Sequence, residues 1–273
     1  MNTPHEGSGT QIGPEVVKAC CAHVYSSDVV ALLLGEPYHP GGVALTRRLA
    51  DRLGLRPGAR VLDVACGPGA TARLLAVEHR VQVDGIDLAE TTLARASTAT
   101  DAAGLSDQVR FRVGDAESIP FPDNTFDAIV CECALCLFPD KARAAAEFAR
   151  VLRPGGRVGI TDITTAESGP PPELTDFAAH IACLADARPA HTYLDLLTAA
   201  GLIVTATETH PAAVGAMIER IQTRLTLLRT LAPTRLAESG LDPTAAAQYL
   251  AAARAAVSDR LIGYSLLVTE KPR

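Results

Sequence analysis

The chain has 273 residues, 48% of them hydrophobic and only 4% aromatic, with no Trp and a formal net charge of −6. This length and apolar content supply a sizeable core and exclude wholesale disorder. The acidic balance and the absence of a dense Lys/Arg block argue against a nucleic-acid partner. No apolar run approaches a membrane span.

The first nine residues lack a positive region followed by an apolar one. They read as a lead-in rather than a signal peptide, which predicts a cytoplasmic protein with no membrane partner. Its seven cysteines, at 20, 21, 66, 131, 133, 136 and 183, are then expected as thiols. Residues 12–34 carry a helical pattern. Residues 35–42 read as a loop from their Pro and Gly content, and a second helix is predicted over 44–53. A short apolar run at 61–65 ends in the turn Gly67-Pro68-Gly69, and a helical pattern follows at once. Strand, glycine turn and helix open a nucleotide-binding βαβ unit, because the backbone must turn tightly and admit a ligand without a Cβ in the way. A second strand, 81–87, ends at Asp87, where a carboxylate can accept both hydroxyls of a ribose.

This arrangement resembles the class I methyltransferases that use S-adenosylmethionine, whose first motif is Asp-x-x-x-Gly-x-Gly, matched here by Asp63, Gly67 and Gly69. The dinucleotide spacing would add a third glycine, but Thr71 and Ala72 stand in that region. The resemblance continues through 109–116, where Asp115 and Ala116 match the segment that faces the adenine, through 121–130, and through 147–157 before a fifth strand. It implies an α/β, Rossmann-like fold: a seven-stranded, mostly parallel sheet with helices on both faces and a helical cap. Strands six and seven fall at 202–209 and 263–269, closing the sheet as an antiparallel pair. Helices are predicted around 173–185 and 191–200, and a long helical segment over 212–260 should cover the acceptor side of the cleft. The expected organisation is an N-terminal helical cap segment (1–55), a cofactor-binding core (56–165) and a sheet-completing C-terminal part (166–273). The expected donor set is Asp63, Gly67, Gly69, Asp87, Leu88, Asp115, Ala116 and Glu132.

The fourth strand ends Cys131-Glu-Cys-Ala-Leu-Cys136. Alternation along a strand would put Cys131 and Cys133 on one face. Three thiols beside a methyl donor suit a soft metalloid or a nucleophile, yet each also fits a small buried hydrophobe, Cys66 most of all. Here the chain resembles the arsenite methyltransferases. Val17-Lys-Ala-Cys20-Cys21 is similar to their N-terminal Cys segment. Cys133, Leu137 and Lys141 match their fourth-strand end, and Ile181-Ala-Cys183-Leu184 their later Cys. That resemblance implies Cys133 and Cys183 as ligands of trivalent arsenic, with Cys20 or Cys21 as a third. Thiolates suit so soft a centre, and the enzyme would contribute mainly positioning for in-line transfer. The loop at 35–40 lacks a thiol those enzymes carry, and Glu132 stands where they have Asn. Two other readings stay open. One is an O-, N- or C-methyltransferase of small molecules in specialised metabolism. The other is a non-enzymatic metal or metalloid sensor using Cys131, Cys133, Cys136 and Cys183, for which the spacing is poor zinc geometry. Tyr38 and His39 could contact substrate or move a proton, but read more simply as solvated loop. The Arg220, Arg224, Arg229 and Arg235 series could attract an anion or form a solvated face.

Overall fold

Strand residues point alternately to the two faces of a sheet, so an unbroken buried run means that both faces are covered. Residues 158–165 are such a run, and Arg60–Val64 and Phe126–Glu132 come close to it. The computed structural model, which describes residues 13–174, 184 and 186–273, shows why. Seven strands form one sheet: β1 (Arg60–Val64), β2 (Gln82–Asp87), β3 (Val109–Val113), β4 (Phe126–Glu132), β5 (Leu152–Thr165), β6 (Ile203–Thr209) and β7 (Ile262–Glu270). Their order is β3-β2-β1-β4-β5-β7-β6. β1 pairs parallel with both β2 and β4, and β7 runs antiparallel to β5 and to β6. The edge strands β3 and β6 are largely exposed.

Helix α3 (Gly42–Leu53) packs Leu49 and Leu53 against Gly159 of β5, so it belongs with the sheet core. Helices α4 (Ala70–His79), α5 (Glu90–Ala102) and α6 (Lys141–Val151) complete the βα alternation, and α7 (Ala190–Ala199) packs on α6. The predicted helix over 12–34 is two helices, α1 (Pro14–Tyr25) and α2 (Asp28–Leu34), which meet at a 68° bend. Ser27 causes the break: its hydroxyl accepts from Val30 N and caps α2. The 212–260 segment is likewise three helices, α8 (Pro211–Leu231), α9 (Pro233–Glu238) and α10 (Pro243–Ser258). Prolines start each one, where a missing N–H costs nothing, and Asp242 caps α10. α8 touches α2, α9 and α10, so N- and C-terminal helices form one cap. Among the described residues no single helix is long and apolar enough to cross a membrane. The helix expected around 173–185 lies almost wholly outside the described residues.

Candidate active site

In an open parallel sheet the ligand crevice forms at the carboxyl ends of the strands where the order reverses, here between β1 and β4. A cleft lies there, lined by Asp63, Cys66 and Gly67 at the end of β1 and just beyond it, Asp87 and Leu88 at the end of β2, Asp115 and Ala116 after β3, and Glu132 and Cys133 at the end of β4. The residues that leave β1 and β4, Ala65 (φ 55°) and Cys133 (φ 56°), are both left-handed. That is an uncommon state for a residue with a Cβ, and it clusters where the chain must open around a ligand.

Asp87 organises the glycine turn. Its two carboxylate oxygens accept from Gly67 N (2.9 Å) and Ala89 N (3.0 Å), leaving lone pairs for further donors. Burial raises its pKa, and these amide bonds oppose the rise. Asp63 is 2% exposed and its Oδ2 has no hydrogen-bond partner among the described residues. Burial first, then the charges of Glu132 and Asp87, push its pKa well up. A buried acceptor left unmatched beside two other carboxylates suits a cationic ligand group. Leu88, 40% exposed, supplies an apolar wall.

Glu132 leaves β4 into a buried polar network. It accepts from Thr71 (2.6 Å), Thr46 (3.1 Å) and Thr161 (3.4 Å), and Tyr264 donates to Thr161 in turn. His39 Nε2 lies 3.3 Å from Glu132 Oε2, and His39 Nδ1 donates to the Pro40 carbonyl at 3.1 Å. The solvated-loop reading of His39 is therefore overturned. The residue is 5% exposed, because Glu132 and Thr46 offer it polar partners inside the fold. Both ring nitrogens also meet protein atoms, so His39 braces Glu132 from the wall of the cleft, which it lines.

Asp115 Oδ1 accepts from Glu117 N, and its Oδ2 receives Lys18 Nζ at 2.8 Å. Lys18 also pairs with Glu117 at 2.6 Å. Burial would lower the Lys18 pKa, but the bonds to Asp115 and Glu117 outweigh it and raise it. Lys18 thus ties α1 across the mouth of the cleft.

Gly69 does not line the cleft. It sits behind it in the left-handed region (φ 75°), where a Cβ would collide with Phe111, so its smallness serves packing. The expectation that Cys131 and Cys133 share a strand face also fails: β4 ends at Glu132, and the turn at Cys133 breaks the alternation. Cys131 is fully buried, and burial followed by nearby carboxylates lifts its pKa well above the thiol range. Cys66 is buried and shifted the same way, and Cys136 is buried. Cys21 and Cys133 both line the cleft and Cys20 does not. Cys183 lies outside the described residues. Among the described residues, no group of three or more His, Cys, Asp or Glu side chains is placed to hold a metal ion.

Beyond Tyr25, Tyr38 and Cys133 the cleft adjoins a second cavity that shares these three residues. Its other walls are apolar apart from Tyr249: Leu33 and Leu34 of α2, Ile163 of β5, Met217 and Ile221 of α8, and Leu250 and Ala253 of α10 among them. The 212–260 helices thus stand over the carboxyl ends of β4 and β5, as expected. Lys18, Tyr25 and Thr71 were not singled out from the sequence. The Lys18 partners lie 97 and 99 positions away, and no local pattern announces them.

Comparison with known proteins shows what these features resemble. Residues 62–160 match the family described as "Methyltransferase domain". Over 154 residues the chain is 36% identical to a 27-O-demethylrifamycin SV methyltransferase of Amycolatopsis mediterranei, covering 52% of this chain and 57% of that protein. It is 38% identical to phosphoethanolamine N-methyltransferase 3 of Arabidopsis thaliana, over 52% of this chain and 28% of that one. The chain thus spans about half, or less, of these relatives' length. Among solved structures it is similar to the cyclopropane synthase MmaA2 of Mycobacterium tuberculosis, with TM-score 0.80, 20% identity and coverage of 97% and 100%. It is also similar to the [4+2]-cyclase SpnF, with TM-score 0.67, 29% identity and coverage of 84% and 81%. The fold is the Rossmann-like fold of class I methyltransferases.

Proposed function

We propose that the chain is an S-adenosylmethionine-dependent methyltransferase whose acceptor is a small, largely apolar organic molecule. The observation that carries this reading is the apolar chamber opening from the acid-lined cleft at Tyr25, Tyr38 and Cys133. The residues present fit the donor. Asp87 stands where a ribose needs an acceptor, the unmatched Asp63 Oδ2 suits its ammonium, and Leu88 and Ala116 offer apolar contact to an adenine. Gly67, Asp115 and Glu132 complete the set, while Gly69 supports it from behind. When bound, the donor supplies an electrophilic methyl group. The chain's own part is to hold the acceptor in line with that methyl, to exclude water through the apolar walls, and to hold the Glu132 charge beside the reacting region. A small-molecule substrate, no nucleic-acid or membrane partner and a cytoplasmic setting belong to the same reading and rest on composition.

A second reading keeps trivalent arsenic as substrate, because Cys21 and Cys133 line one cleft and two thiolates suit a soft centre. Cys183 would be the further ligand. The fold alone does not decide the chemistry, since one similar structure bears the name of a cyclase.

The test is transfer of labelled methyl from the donor to a panel of apolar phenols, carboxylic acids and amines, with arsenite and methylarsenite alongside. Methylation of organic acceptors, retained within about threefold in Cys133→Ser, supports the first reading. Methylation of arsenite alone, abolished by Cys133→Ser, supports the second. Donor binding with no transfer to any acceptor overturns both.

A further inference from the structure

On α8, Val214, Ile218 and Leu225 are buried, and Met217 and Ile221 line the apolar chamber. Arg220 and Arg224 sit one turn apart beside them. Arg224 Nη1 donates to the Leu33 carbonyl at 3.2 Å. Its guanidinium also fills the space at Gly35, where a Cβ would run into it. Gly35 follows Leu33 and Leu34, which line the chamber, and leads through the loop to Tyr38, which lines it too. Arg224 is therefore fixed at the chamber's α2 edge. Arg220 differs: its Nε and Nη2 are buried, and neither has a hydrogen-bond partner among the described residues. No carboxylate pairs with it among the described residues, whereas Arg254 on α10 reaches both Glu219 and Gln222. Burial, and then the charge of Arg224, pull the Arg220 pKa down.

A guanidinium with two hidden, unmatched donors beside a second cation is costly as it stands. An anion between them would satisfy those donors, and a planar fork suits the oxygens of carboxylate or phosphate. The apolar chamber next to it would receive the rest of the same molecule. We infer that the acceptor is amphipathic: its apolar body occupies the chamber, and its anionic group, a carboxylate or a phosphate, pairs with Arg220 and Arg224 at the α2 edge. This rests on the organic-acceptor reading above and narrows its substrate class.

The test is calorimetric titration of octanoate, octyl phosphate and octan-1-ol into the full chain, with and without saturating S-adenosylhomocysteine. The wild type should bind the two anions at least tenfold more tightly than the alcohol, and the tighter anion names the head group. Arg220→Gln should erase that preference while octanol binding stays unchanged, and Arg220→Lys should keep part of it. In the wild type the anions' advantage should also shrink with added salt, a readout that stands even if Arg220→Gln fails to fold. Octanol binding as tightly as the anions, no binding of any alkyl probe, an advantage that ignores salt, or Arg220→Gln retaining the preference would each overturn the inference. Failure of the methyltransferase reading shows separately, as absence of S-adenosylhomocysteine binding in the same cell.

Discussion

Asp63 shows a single residue kept against stability. As a fully buried acid with its pKa pushed well up by burial, Glu132 and Asp87, it holds its proton in the native state to a higher pH than in the unfolded chain. The unfolded carboxyl ionises near pH 4. Above that point the native state binds more protons, so Asp63 lowers stability progressively as pH rises through its native pKa. Asp63→Asn should therefore raise the melting temperature of the ligand-free protein by about 2–4 °C near pH 7.5, and hardly at pH 4. The same variant should lose donor affinity by tenfold or more. Thermal melts across pH and donor titration check the two halves together, and an unchanged melt with normal binding would remove Asp63 from both roles. The motif made Asp63 legible in the sequence, but its unmatched oxygen was not, because that follows from what β2 and β4 place around it.

At the scale of elements, the strands and the glycine turn were readable because apolar runs and turn residues are local signals. The breaks at Ser27, Pro233 and Pro243 are local too, and the capping residues mark them once they are weighed against helical periodicity. The contact between α1 and the end of β3 could not be read, since Lys18 meets Asp115 and Glu117 only through the fold. The latch makes a prediction. Lys18→Met leaves two carboxylates near the cleft without their cation, so α1 and α2 should open more often. Backbone amides in 14–34 should exchange hydrogen about tenfold faster, and the donor should dissociate faster by a similar factor, consistent with the loss of a charged hydrogen bond at about 1.5–3 kcal/mol. Exchange rates equal to the wild type would show that packing, not the latch, holds the cap. The cysteines teach the converse: their spacing suggested one face of one strand, and the left-handed turn at Cys133 separates it from Cys131.

For the whole molecule, the strand order places an acid-lined cleft and an apolar chamber side by side, the one built by the sheet and the other by the cap. The chamber was hard to foresee because most of its walls come from residues 25–40 and 214–262, which meet each other, Cys133 and Ile163 only in the folded chain. The central claim is that this cleft holds S-adenosylmethionine. The most direct measurement is calorimetric titration of S-adenosylmethionine into the wild type and Asp87→Ala. One site per chain is predicted for the wild type, with affinity weakened by about 1–3 kcal/mol in the variant, the scale of a lost bond to a charged group. No binding to the wild type, or equal affinity in both proteins, would contradict the account.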